Sequence, residues 1–241
     1  MNADRKENPW HVLKETVLLL TFAVVLALVV KTFLVQSFYI PSESMEPGLI
    51  VNDRILVQKP SYWAGEPQRG DVIVFDDPGD WLSGLQNPQP ASLLTRGLSK
   101  IGLYPTGGHL VKRVIGVEGD VIVCCDEFGL LTINGVAIDE SDYLTVNQRK
   151  KPCNGPMIPS CDWTSGTVPD GHLFVMGDNR ANSADSSVHI CRREADKCPD
   201  PTVGFVPVDL VVGKVFALAW PPGRASFVGR ADAFADVPDA D

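Results

Sequence analysis

Between Thr16 and Val30 the chain runs T-V-L-L-L-T-F-A-V-V-L-A-L-V-V without a single charge. After Lys31 the apolar character resumes with Phe33, Leu34, Val35, Phe38 and Ile40. A helix that spans a bilayer needs about 20 mainly apolar residues. Val17 to Val35 supplies that length with Lys31 as its only charge, near one end, where a long side chain reaches the headgroups. The pattern predicts a transmembrane anchor over 16–36, after a short N-terminal segment, 1–15. The rival is a cleaved targeting peptide, which normally ends in a small-x-small site, and none follows this run. Flanking cations orient the anchor only weakly, since Arg5, Lys6 and Lys14 precede it and Lys31, Arg54 and Lys59 follow.

The rest of the chain has enough apolar residues for a packed body. Hydrophobic residues make up 44% and charged residues 21% of the 241 positions, which excludes wholesale disorder. With 21 Lys plus Arg against 30 Asp plus Glu, the net charge of −9 lacks the basic footprint of a nucleic-acid binder. All six Cys (Cys124, Cys125, Cys153, Cys161, Cys191 and Cys198) come after the anchor. An even count there fits disulfides in an oxidising space. Zinc competes poorly, because there is no C-x-x-C pair and His172 and His189 stand at no familiar ligand spacing. Six Cys allow about fifteen connectivities. Cys153 with Cys161 and Cys191 with Cys198 would close short loops, while the adjacent Cys124 and Cys125 are not expected to bond each other. The body is therefore expected outside and the short N-terminus inside.

Short β-branched runs bounded by Gly, Pro and Asp predict strands at Arg54–Val57, Asp71–Phe75, Leu110–Val117, Val121–Cys125, Leu173–Met176 and Val211–Trp220. Asn134-Gly135 between apolar flanks predicts a hairpin over Leu131–Ile138. Residues 76–108 read as loop with a short amphipathic helix near Ser92–Ile101, and 139–171 as polar loop. The tail from Ala231 to Asp241 has four Asp and no base, which predicts disorder over 226–241.

Three blocks can carry chemistry. Pro41-Ser-Glu-Ser-Met45 sets two hydroxyls one residue apart directly after the anchor. A Ser attacks only if a base takes its proton, and the four His offer none in a recognisable pattern. Lys112, in the apolar run His109–Gly116, is the other option. Strand alternation puts it and Arg113 on opposite faces, so one of the two is expected in apolar surroundings. Burial lowers a Lys from near 10.4 by up to several units. The third block, Val175–Ser186, follows a strand and is dense in turn-forming polar groups.

In combination these blocks resemble the type I signal peptidases (leader peptidases) of bacteria. The matching pieces occur in the family's order: the anchor, Pro-Ser-x-Ser-Met at 41–45, Asp53-Arg-Ile-Leu-Val-x-Lys59, Arg69-Gly-Asp-Val-Ile-Val-Phe75, Val111-Lys-Arg-Val-Ile-Gly116 with Gly119-Asp120, and Gly177-Asp-Asn-Arg-x-Asn-Ser-x-Asp-Ser186. The resemblance implies a mainly β fold. An antiparallel catalytic core (37–118 and 172–225) would carry an inserted, smaller β domain (119–171) behind one N-terminal transmembrane helix. It implies Ser44 as nucleophile, Lys112 as general base, and the Ser44 N–H with the Ser42 hydroxyl as oxyanion hole. Asp178 and Arg180 would form a supporting ion pair. Phe38, Ile40 and Met45 would line shallow pockets for small residues at the −3 and −1 positions of a signal peptide. The implied partners are secretory preproteins and the lipid bilayer, with no nucleic acid and no metal or organic cofactor. The implied place is the cytoplasmic membrane, N-terminus inside and catalytic domain outside.

The sequence departs from the family pattern at Glu43, where many members have Gly; at Met176, where some have a Ser that orients the Lys; and at Ser187, where Arg is common. Glu43 must then point away from the oxyanion site, and Lys112 must find another acceptor. Two alternatives use the same residues: a different, self-cleaving Ser–Lys peptidase, and a non-enzymatic anchored β domain that binds an extracellular partner.

Overall fold

The computed structural model describes residues 9–63, 65–79, 81–82, 108–144, 162–190 and 200–240. The helix expected near 92–101 and the pairings of Cys153 with Cys161 and Cys191 with Cys198 lie outside these residues.

Helix α1 covers Pro9–Val29 and is continued by a π-helical turn, Val30–Leu34. Its stretch Trp10–Val29 is long and apolar enough to cross a membrane and buries none of its surface against the body. The helix starts earlier than the expected anchor, and the chain is already extended at Val35, inside the expected 16–36 span. The reason is local: Val35 to Tyr39 (β1) pairs residue for residue with Gln58 to Arg54. The Lys59 N–H also donates to the Leu34 carbonyl, stitching the end of the helical segment to the sheet.

The remaining strands are β2 (Arg54–Gln58), β3 (Val72–Asp76), β4 (His109–Gly116), β5 (Val121–Cys124), β6 (Leu131–Ile133), β7 (Val136–Ala137), β8 (Trp163–Thr167), β9 (His172–Met176), β10 (Val206–Pro207), β11 (Val211–Trp220) and β12 (Ser226–Phe227). A short helix, α2, covers Ser186–His189. The larger sheet has the order β1-β2-β11-β3-β4-β9-β10 with β12 on β11; the smaller has β7-β6-β5-β8; every pairing is antiparallel. The fold is therefore mainly antiparallel β with one N-terminal apolar helix.

Strand β3 explains the layering. Successive strand side chains leave opposite faces, and its run Val-Ile-Val-Phe is buried throughout. Val72 and Val74 join Ile40, Met45, Leu49, Ile55, Val57, Val215 and Leu218, whereas Ile73 and Phe75 join Leu110, Val114, Leu173, Val175 and Val206. Burying a side chain such as Phe75 contributes about 2 to 3 kcal/mol. A third cluster joins the two sheets: Ile115, Phe174 and Met176 of the larger meet Ile122, Leu131, Ile133 and Trp163 of the smaller. The hairpin β6–β7 turns on Asn134 and Gly135, both at positive φ (51° and 81°), as a two-residue loop requires.

Three expectations are corrected. Trp163–Thr167 is a strand within the stretch expected to be polar loop; its Thr, Ser and Gly hide the alternation, and its pairing with β5 supplies the order. Cys124 and Cys125 do form a disulfide with each other. The peptide between them is cis, which sets their Cα atoms 3.0 Å apart and lets neighbouring sulfurs meet. The acidic tail is packed rather than disordered. Phe234 and Val237 are buried in the third cluster with Ala231 and Ala233 against it. Arg230 Nε donates to Asp71, and the Arg69 guanidinium donates to the carbonyls of Val237 and Pro238. Every third tail residue faces the core while the Asp side chains face water, so the acid count alone misleads.

Candidate active site

The turn after β1 is held from below. The Ile40 N–H donates to the Asp53 carbonyl and the Asn52 N–H to the Ile40 carbonyl, closing the loop 40–53. Ile40, Met45 and Leu49 sink into the core, at 2%, 1% and 4% exposure. Between those anchors Ser44 is buried, while Ser42 and Glu43 stay exposed. Lys112 comes from β4, an interior strand bonded to β3 and β9. Its Nζ lies 2.7 Å from Ser44 Oγ. At that distance an ammonium donates to the hydroxyl, and a neutral amine accepts from it.

Lys112 is only 3% exposed. Burial lowers its pKa from 10.5 to about 8, against an opposing pull from the carboxylates of Asp185 and Asp178. A buried amine with a pKa near neutrality is suited to taking a proton. Ser42 Oγ stands 3.3 Å from Ser44 Oγ. The backbone N–H of Ser44 has no partner among the described residues. The structure thus brings together Ser42, Ser44 and Lys112.

The loop after β9 grips this turn. The Asn179 N–H donates to the Ser44 carbonyl at 3.0 Å, and the Asn179 side-chain amide to the Glu43 carbonyl at 3.0 Å. The Asn182 amide donates to the Glu43 carboxylate at 3.0 Å, so that side chain is drawn toward the loop and away from the two hydroxyls. Gly177 sits so close that a Cβ there would strike the Ser44 carbonyl and the Ser183 hydroxyl.

The expected ion pair between Asp178 and Arg180 is not formed. Asp178 instead takes both Nε and Nη2 of Arg113, at 2.8 and 2.7 Å. Arg180 turns the other way, to Glu140 and the Gly177 carbonyl. Two residues apart in a tight loop, the two side chains each find a partner on a different neighbouring segment. Arg113 is therefore buried as well as Lys112, where only one of the two was expected inside. Its charge is matched by Asp178, and a third bond goes to the Gly70 carbonyl at 2.9 Å. Of the expected pocket residues, Ile40 and Met45 belong to the core, and only Phe38 is partly exposed.

Asp185, Ser183 and Glu140 were missed in the sequence. Asp185 accepts from the Gly177 N–H, Ser183 Oγ, Ser187 N–H and Ser187 Oγ, and caps α2. The Asp-Ser-Ser order is a capping signal, but a four-residue helix has no periodicity to mark it. Glu140 lies in a polar stretch with no local signal.

The chain belongs to the signal peptidase family, peptidase S26, whose model matches residues 13–220; it is a peptidase of that family. Signal peptidase I of Mycobacterium tuberculosis is 41% identical over 227 residues, which cover 88% of this chain and 74% of that protein. A probable signal peptidase I of Mycobacterium leprae is 38% identical over 229 residues, covering 89% and 78%. A solved signal peptidase I of Enterococcus faecalis aligns with 62% of this chain and 97% of its own, at 29% identity and a TM-score of 0.38.

Proposed function

We propose that this chain is a membrane-anchored serine endopeptidase that removes signal peptides from secreted preproteins after small-x-small sites. The observation that carries this reading is the 2.7 Å contact between a buried amine and a buried hydroxyl. Neutral Lys112 takes the proton of Ser44 as its oxygen attacks the carbonyl of the −1 residue. The developing oxyanion accepts from the Ser44 N–H and the Ser42 hydroxyl, each such donor being worth roughly 3 kcal/mol. Collapse of this tetrahedral species breaks the peptide bond. Lys112 gives its proton to the leaving amine, and the signal peptide remains as an ester on Ser44. A water deprotonated by the same amine then frees the enzyme.

The preprotein lies as an extended strand beside the site, bound through its main chain. Phe38, backed by Ile40 and Met45, forms the apolar wall met by its small residues. Helix α1 spans the cytoplasmic membrane, with the N-terminus inside and the body outside. The oxidised Cys124–Cys125 pair fits that side. With enzyme and substrate held in one bilayer, their effective concentration rises. Asp178 supports the site through Arg113, and Arg180 through Glu140.

The test is incubation of the full chain, in detergent, with a labelled preprotein carrying an Ala-x-Ala site. Cleavage is expected after the second Ala in the wild type and in neither Ser44→Ala nor Lys112→Ala. Cleavage that persists in either variant would sink the dyad.

A further inference from the structure

We propose that Glu140 and Tyr143, on the 139–144 turn that precedes β8, are positioning residues that latch the charged groups behind the dyad and so set how tightly Lys112 holds its proton. This inference rests on Lys112 being the base. Asp139 opens the turn by accepting from the Ser141 N–H, and a 3-10 helix, Glu140–Asp142, follows. From it Glu140 projects into the body and is 4% exposed. Its carboxylate accepts from both terminal nitrogens of Arg180, Nη1 at 3.0 Å and Nη2, and from the Tyr143 hydroxyl. The Tyr143 ring lies 4.1 Å from the Arg113 guanidinium, within the range of a cation–π contact. Its other neighbour is Phe234 of the packed tail, at 6.3 Å between centroids.

The buried charges form an ordered set. Asp178 and Asp185 act on Lys112 from the loop after β9. Arg113, next along β4, is matched by Asp178, with Asp142 also acting on it. Burial opposes the charge on Arg180, and Glu140 outweighs it. Asp185 accepts only from neutral hydroxyls and backbone N–H groups, so its charge is left to act on Lys112. Arg180 also feels Asp185. Without Glu140, the Arg180 cation would lose its partner and turn its field on Asp185. Asp185 would then support the Lys112 ammonium less, and the amine would lose its proton at a lower pH. Asp185 also holds Gly177 and Ser183, which border the Ser44 carbonyl, so the attacking oxygen would shift with it.

The experiment measures kcat and KM for preprotein cleavage against pH in the wild type, Glu140→Gln, Tyr143→Leu and the double variant Glu140→Gln/Arg180→Gln. Glu140→Gln is expected to lower kcat about tenfold or more with KM little changed, and to move the acid limb of the profile to lower pH. The double variant, which buries no lone cation, is expected to return that limb to its wild-type position. Tyr143→Leu is expected to lower kcat through loss of the ring against Arg113. A wild-type kcat in Glu140→Gln, or a lowered kcat with the limb unmoved, overturns the latch. If Glu140→Gln does not fold, the double variant decides: a reduced kcat with the limb in place supports the latch, and a wild-type kcat overturns it. A Ser44→Ala control separates the two levels. Cleavage surviving there defeats the dyad, whereas its loss beside an unaltered Glu140→Gln defeats the latch alone.

Discussion

Replacing Lys112 with Met should abolish cleavage and make the protein more stable. The side chain is 3% exposed, and its pKa falls from 10.5 to about 8 on folding. That is a shift of about 2.5 units, or about 3 kcal/mol of cost borne by the folded ammonium at roughly 1.4 kcal/mol per unit. Met has a similar length and no charge. It forfeits the hydrogen bond to Ser44, worth about 1 kcal/mol. The net expectation below pH 8 is a gain of about 2 kcal/mol. The sign follows from linkage: the folded pKa lies below the unfolded one, so the penalty is present in full below the folded pKa. As pH rises from about 8 to 10.5, the folded amine is neutral while the unfolded one still binds its proton, and wild-type stability rises relative to the variant. Urea unfolding of both full chains in detergent, followed by Trp fluorescence at pH 6 and pH 10, measures this. A variant less stable than wild type at pH 6, or a gap that does not close with pH, would refute a desolvated amine.

Three further outcomes follow from the same geometry. Lys112→Arg should show no cleavage at any pH up to 10, because a guanidinium stays protonated; an active Arg variant in a preprotein assay would contradict the neutral-base step. Ser42→Ala should lower kcat about a hundredfold by loss of one oxyanion donor, and a loss below about threefold in the same assay would remove Ser42 from that role. Gly177→Ala should lower kcat by about tenfold or more, because its new Cβ would strike the Ser44 carbonyl; unchanged kinetics with an unchanged melting curve would show that the turn tolerates displacement.

The strands were legible where β-branched residues alternate or run together, as in Val72–Phe75 and Val111–Ile115, because burial on one or both faces leaves a pattern in the chain itself. Ser44 and Lys112 were legible only through the resemblance, since 68 residues separate them and no local rule joins a turn hydroxyl to a strand amine. Partner choice among buried charges was not legible. Asp178 and Arg180 are two apart in sequence, yet their partners are Arg113 and Glu140, set by which segments pack against the loop. The tail misled because four Asp outweighed Phe234 and Val237 in composition, while in space those two residues decide its position.

The most direct test of the dyad is the intact mass of the chain, quenched in acid during turnover of a signal-peptide ester. A gain equal to the acyl fragment, mapped to the tryptic peptide that contains Ser44 and missing from Ser44→Ala, is the predicted result. An adduct on any other residue, or turnover by Ser44→Ala, would contradict it.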